Sequence, residues 1–170
     1  MTRQERERRY ISEYMLHTWP AGDWQLNVEL GPIPQEYVTR YGQAKAAALF
    51  RPTRPRVDAV KWEPGKYYLI EAKIREIKGG IGDLTYYRSM SKKTPDLPWY
   101  DGQEIVCRLV VPWMLEWLSS AAEDNGVEVV IYHADWIDEY VRERQNYFTA
   151  EYRQKRAELM RNREILGLGG

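Results

Sequence analysis

The sequence predicts an α/β domain in which a mixed central β-sheet is flanked by helices, with a long C-terminal helix after it. Three observations lead there. Residues 24–30 alternate apolar and polar side chains at the period of a half-buried strand. Two further strand-like runs, 57–62 and 67–74, meet at Glu63-Pro64-Gly65-Lys66. A largely apolar run at 105–112, ended by a proline, precedes a helix-length and then a strand-length segment, the alternation of a parallel crossover.

Thr2 to Thr18 is the first helix, because Tyr10, Ile11, Tyr14, Met15 and Thr18 fall on one stripe at helical spacing. Glu7 projects near the middle of that stripe, where an acid needs a partner; Glu13 falls outside it and is expected to be solvated. The bland reading of Glu7 is a frayed, charged N-terminus. Trp24, Leu26, Val28 and Leu30 line the buried side of the first strand. Pro52-Thr53-Arg54-Pro55 is expected to be an extended lead-in to the next one.

Pro presets φ for the second position of a turn and Gly tolerates positive φ at the third, so 57–74 is expected to fold as a hairpin. Centring the reversal between Pro64 and Gly65 pairs Trp62 with Tyr67, Val60 with Leu69 and Asp58 with Glu71. Two-residue hairpins prefer the mirror-image turns, so a bulge or wider loop is the alternative. Gly79-Gly80 is expected to break the chain before a short helix at Ile81–Met90. A helix at Trp113–Asp124 and a strand at Val127–His133 follow. From Trp136 to about residue 166 an intermittent apolar stripe (Ile137, Tyr140, Val141, Tyr147, Phe148, Tyr152, Leu159) among charged residues predicts one long helix, either an interaction arm or a solvated helix. The organisation expected is thus a core over 1–135, the helix over 136–166 and a disordered tail over 167–170.

The hairpin carries the chemistry. Opposed Cβ atoms in an antiparallel pair lie about 5 Å apart, and like charges there repel. A divalent cation with a preference for carboxylate oxygens, Mg²⁺ or Mn²⁺, would offset the repulsion between Asp58 and Glu71, and Lys73, one pleat further on the same face, could hold or polarise a water. This is the chemistry of phosphodiester hydrolysis.

Asp58 and Glu71-Ala72-Lys73 resemble the motif of the PD-(D/E)XK nuclease superfamily, an acid near one strand start followed by Glu/Asp-x-Lys on the next strand. The order helix, three strands, helix, strand over about residues 5–135 is similar to the restriction-endonuclease-like core of that superfamily. The resemblance implies Asp58 and Glu71 as metal ligands, the Ala72 carbonyl as a further one, Lys73 orienting the attacking water and Glu7 completing the metal site. It implies Asp83 and Tyr87 as secondary site residues, Tyr87 with packing as its alternative. Two departures stand out: the proline of the family name is Val57, and Asp83 occupies a position where family members often have Gln.

Composition bounds the rest. With 170 residues, 44% of them hydrophobic, the chain suits one globular domain with a substantial core. A single cysteine, Cys107, excludes an internal disulfide framework and is expected to pack in the core. His17 and His133 lack ligand spacing. No apolar run approaches the roughly 20 residues that span a bilayer, and the basic N-terminus lacks the apolar run of a signal peptide, so no membrane association and a cytoplasmic location are expected. Twenty-five basic and 25 acidic residues cancel, which argues against strong non-specific DNA binding and leaves local clusters to do that work. The candidates are Arg51, Arg54 and Arg56 before the hairpin, Arg75 and Lys78 after it, and Lys92 and Lys93 after the second helix; each could equally be solvated surface. Trp99-Tyr100 is the one aromatic pair singled out for base stacking.

The expected function is therefore a Mg²⁺- or Mn²⁺-dependent nuclease acting on DNA, with RNA as second choice. The alternative, also implied by the resemblance, is a phage particle-assembly protein (neck, connector or head completion) that keeps the nuclease-like fold and works through the C-terminal helix. The corresponding location is host cytoplasm or virion. Superfamily resolvases and restriction enzymes are often dimers, so a homo-oligomer is expected as well.

Overall fold

One tight reversal, one helical insertion and two crossovers organise the sheet. The computed structural model describes residues 3–146, 154–155, 157–159 and 161–162, in two units, Met1–His133 and Ala134–Gly170. In the first unit, helix α1 (Arg3–Thr18) leads into strand β1 (Trp24–Glu29), helices α2 (Gln35–Tyr41) and α3 (Gln43–Phe50), and a 3-10 turn at Arg51–Thr53. Strands β2 (Arg56–Glu63) and β3 (Lys66–Ala72), helix α4 (Ile77–Ser91), strand β4 (Glu104–Val111), helix α5 (Glu116–Asp124) and strand β5 (Val127–Ile131) follow. The sheet order is β1-β2-β3-β4-β5, antiparallel for the first two pairs and parallel for the last two. It is the mixed sheet flanked by helices that the sequence predicts.

The β2–β3 register is the symmetric one, from Glu63↔Lys66 through Trp62↔Tyr67 to Ala59↔Ile70, with no bulge. Pro64-Gly65 spans the turn directly, and Gly65 has φ +82, a conformation that costs glycine little. Alternation then sorts the sheet into two faces. One carries Val60, Leu69, Cys107, Leu109 and Val111 against Ile77, Ile81 and Leu84 of α4 and Leu118 and Ala122 of α5. Each buried Leu or Ile contributes about 1.5–3 kcal/mol. The opposite face carries Tyr68 and Arg108; Trp19, just past α1, lies 5.9 Å from the Tyr68 ring and receives the Arg108 guanidinium at 5.3 Å. The expected stripe of α1 is buried at Tyr10, Ile11, Tyr14 and Met15, and the Tyr10 hydroxyl donates to the Tyr132 carbonyl at 2.5 Å.

Several boundaries differ from expectation for non-local reasons. Gly79-Gly80 does not break the chain: both lie inside α4, whose N-cap is Glu76 in the left-handed region at φ +51. The segment before β2 is not a simple extended lead-in, because Arg51–Thr53 form a helical turn after two helices that the sequence pattern did not announce. α2 buries no residue and α3 only Ala46, so neither shows the apolar stripe by which helices are recognised. Their joint is Gly42 at φ +79, and Tyr37 packs edge-on against Phe50 at 4.8 Å. The helix expected from Trp113 begins at Glu116, and the last strand stops at Ile131. Cys107 is in the core, as expected.

Arg54 closes the stem of this helical insertion. Its guanidinium forms a two-pronged pair with Asp96 (3.0 and 2.6 Å) and also donates to the carbonyls of Leu30 and Glu29, with only 5% of the side chain exposed. This overturns its expected place on a nucleic-acid surface, since the side chain is buried and four of its five N–H donors are committed inside the protein.

In the second unit the described helix is α6 (Ile137–Asn146), in which the Trp136 and Tyr140 rings lie 6.3 Å apart. Apart from short helical stretches at 154–155, 157–159 and 161–162, the continuation of the expected long helix to residue 166 and the tail at 167–170 lie outside the described residues. Among the described residues no helix is long and apolar enough to cross a membrane.

Arg54→Met should cost about 2–3 kcal/mol in urea denaturation, because it strands Asp96 and two carbonyls. Arg56→Ala, whose side chain is 47% exposed, should cost less than about 0.5 kcal/mol. Equal costs would show that the Arg54 staple is not what holds the stem.

Candidate active site

The β2–β3 pairing ends at Ala59↔Ile70, one residue short of Asp58 and Glu71; strand alternation keeps both on the face that carries Val60 and Leu69, and their charges act on each other. The Ala72 amide donates to Asp58 Oδ2 at 2.9 Å, which fixes one carboxylate beside the end of β3. Lys73, just past the strand, stays in line because its amide donates to the Val110 carbonyl at 2.9 Å. On the other side of β2, Asn27 occupies the register position facing Asp58 and has φ +54, so β1 is distorted at the site.

Helix α4 completes the cluster from above. A Cβ at Gly80 would stand 2.5 Å from Leu109 Cδ1 and 3.2 Å from Lys73 Cγ, so only glycine lets the helix lie this close. One turn on, Asp83 Oδ2 reaches Lys73 Nζ at 3.0 Å, while Glu71 Oε1 takes the same ammonium at 2.7 Å. Lys73 thus bridges an acid from the strand and an acid from the helix. Tyr87, one further turn along, is electrostatically coupled to the same group.

Charge is crowded and poorly hydrated here. Glu71 is 4% exposed. Its burial, reinforced by Asp58, pushes the Glu71 carboxyl up to about 8, against the opposing effect of Lys73. Burial likewise lifts Asp58 to about 6, with the Ala72 amide and Lys73 pulling it down and Glu7 and Asp83 adding to the rise. Burial alone would lower Lys73, but Glu71 and Asp83 outweigh it and hold the ammonium above its ordinary value. The Tyr87 phenol is raised by burial and then by Glu71, so it remains neutral. Lys73 is therefore a cation that donates hydrogen bonds, with no lone pair to accept a proton.

The donor set suits a hard divalent cation. Glu71 Oε2 is buried and accepts no hydrogen bond among the described residues, an arrangement that costs energy unless the oxygen finds a partner. Asp58 is near enough to act on Glu71 and has its own charge disfavoured, and carboxylate and carbonyl oxygens are what Mg²⁺ and Mn²⁺ take. Among the described residues no three His, Cys, Asp or Glu side chains are gathered as a ready-made cage. Two carboxylates plus the Ala72 carbonyl is the set that fits, the pattern of sites that keep several waters on the ion.

Of the other expected site residues, Glu7 is half-buried on α1 and acts on Asp58 through its charge. Glu13, expected to be solvated, pairs with Arg9 at 2.7 Å on the same helix. Arg56 shares the Glu29 carboxylate with Arg51, at 3.4 and 2.6 Å. Arg75 and Lys78 are exposed immediately after Lys73. Lys92 and Lys93 are exposed in the segment that Thr94, accepting from the Gly31 amide at 2.7 Å, and Asp96, on Arg54, fasten to the insertion stem. Trp99 is 46% exposed, whereas Tyr100 packs edge-on against Tyr67 at 5.2 Å and is not a free partner for stacking. The role of Gly80 was missed because its contact on Leu109 is non-local, and the run Ala44–Leu49 of strong helix formers after Gly42 was the available signal for the insertion.

No protein-family model and no curated protein matches the chain. Among solved structures, the crystal structure of protein VC1899 from Vibrio cholerae is similar at 16% identity and a TM-score of 0.42, over 83% of this chain and 32% of that one. The chain thus spans about a third of that protein's length.

Both site carboxyls have folded values above the ordinary 3.8 and 4.5, so the folded state binds more protons than the unfolded one between about pH 4 and 8. The stability they allow is fully present near pH 4 and declines as pH rises through about 6 and then about 8. Urea midpoints in the presence of a chelator should fall over that window, and Glu71→Gln should remove its upper part. A flat profile for the unsubstituted protein would mean that the two acids are not buried together.

Proposed function

We propose that this chain is a metal-dependent nuclease hydrolysing phosphodiester bonds, of DNA in the first place and RNA in the second, with Mg²⁺ or Mn²⁺ as cofactor. The observation that carries the reading is the buried Glu71 with an unsatisfied oxygen, under the charge of Asp58 and in contact with a protonated lysine. Structural ion pairs do not need an orphaned carboxylate oxygen; a cation site does.

Asp58, Glu71 and the Ala72 carbonyl would hold the cation, with Glu7 and Asp83 adding negative charge nearby. When bound, the ion supplies positive charge toward the scissile phosphate and makes water a better nucleophile at neutral pH. Lys73 then donates to the attacking water or to a non-bridging phosphate oxygen. In either role it keeps the nucleophile in line and stabilises the charge that grows on the phosphate. The water oxygen forms the new bond to phosphorus and gives its proton to solvent, the bond to the leaving sugar oxygen breaks, and that oxygen takes a proton from solvent. Asp83 holds the Lys73 ammonium on the helix side, and the neutral Tyr87 hydroxyl is available as a donor to substrate.

The test is incubation of labelled single-stranded, duplex and branched DNA and of RNA with Mg²⁺, Mn²⁺ or chelator. Metal-dependent cutting that Asp58→Ala, Glu71→Ala and Lys73→Ala each reduce by about 100-fold or more in kcat is expected. No cutting of any substrate by well-folded protein would leave the assembly reading in its place, with the 136–166 segment as the partner-binding element. Independently, Mn²⁺ should raise the Tm more at about pH 8 than at about pH 5, because protons and the cation compete for the same carboxylates. A shift that persists in Glu71→Ala would place the ion elsewhere.

A further inference from the structure

The helical insertion between β1 and β2 contributes almost nothing to the core, yet it is built with care. It returns to the sheet at Arg56, two residues before Asp58, so its stem and the catalytic carboxylate share one end of one strand. Tyr37 on α2 packs against Phe50 on α3 and ties the two helices together, with the Tyr41 ring beside Tyr37. Against the Tyr41 ring lie two cations, Arg40 with its guanidinium carbon 5.2 Å from the centroid and Lys45 with its ammonium at 5.3 Å. Neither makes an ion pair among the described residues, whereas Arg51, Arg54 and Arg56 of the stem each pair with Glu29 or Asp96. A surface recess of about 190 Å³, lined by Glu36, Tyr37 and Arg40, opens beside them. A ring that braces two long side chains lowers the entropy lost when they grip a ligand. Two braced, unneutralised cations on an exposed arm complement a polyanion.

We propose that the α2–α3 hairpin is a substrate arm that holds the sugar-phosphate backbone of a nucleic acid as it approaches the Asp58–Glu71 edge, with Arg40 and Lys45 on phosphates and Tyr41 as their brace. This rests on the nuclease reading and deepens it by assigning a binding element outside the reacting residues. Contacts of this kind position the strand and carry no sequence information, so the arm serves affinity and orientation.

The experiment measures affinity for a labelled single strand and a labelled duplex in chelator, across a salt series, for the unsubstituted protein and for the double variant Arg40→Ala with Lys45→Ala. Metal-dependent cleavage is measured in parallel. Because α2 buries nothing and α3 only Ala46, the double variant should keep its Tm. Losing two phosphate contacts should reduce the slope of log affinity against log salt by roughly 1.4 for the single strand or 1.8 for the duplex. KM should rise about tenfold with kcat little changed. Tyr41→Phe, which keeps the ring, should behave as the unsubstituted protein, and Tyr41→Ala should move toward the double variant. If the unsubstituted protein binds and cuts while the double variant keeps its salt slope and KM, the arm proposal is overturned and the nuclease reading stands. If the slope falls as expected but nothing is cut, the arm is supported and the nuclease reading fails alone. If the unsubstituted protein neither binds nor cuts, both fail.

Discussion

Everything at the proposed site depends on one constraint: a two-residue turn brings two carboxylates to one face at the end of a buried strand pair. Pro64-Gly65 sets a register that runs to Ala59↔Ile70, alternation leaves Asp58 and Glu71 just beyond it on one face, and burial makes the pair costly to ionise. A fold under selection for stability alone would replace one of the two with an apolar residue. Keeping both, with a lysine threaded between one of them and a helix acid, concentrates charge that is useful only when something positive or phosphorylated arrives. A reactive site of the kind proposed would carry this stability cost.

The surroundings serve that constraint by close approach. Gly80 lets α4 lie directly on Leu109 and the Lys73 stem, which is why Asp83 can reach the ammonium. Arg54 does the equivalent work at the other margin, joining the ends of β1 and the insertion to the loop that carries Asp96. Helix and insertion are thereby held against the sheet beside the proposed site, so local geometry is set by packing that is remote in sequence.

How much of this was legible in the sequence follows from that distinction. The hairpin, its register and the Glu71-Ala72-Lys73 cluster were readable because turn chemistry and strand alternation act over a few residues. The stripe of α1 was readable for the same reason. Arg54 was misjudged because its partner Asp96 lies 42 residues away, and a basic residue in a basic run carries no local mark of burial. Gly79-Gly80 looked like a break because the contact that favours glycine there comes from β4. The insertion escaped notice because a helix that buries nothing has no periodic pattern to display.

The stapled stem makes the chain unevenly tolerant of changes in length. An extra residue at Pro64-Gly65 would slide β2 against β3 by one position, turn every side chain of one strand to the opposite face and separate Asp58 from Glu71. Between Gly31 and Pro55, by contrast, the ends are clamped by Arg54, and closing a longer loop adds only about 0.6 kcal/mol per doubling. The insertion is therefore a replaceable module: arms of different size and charge could be exchanged there during divergence or by design, altering what the protein grips without re-engineering the edge that would cut it.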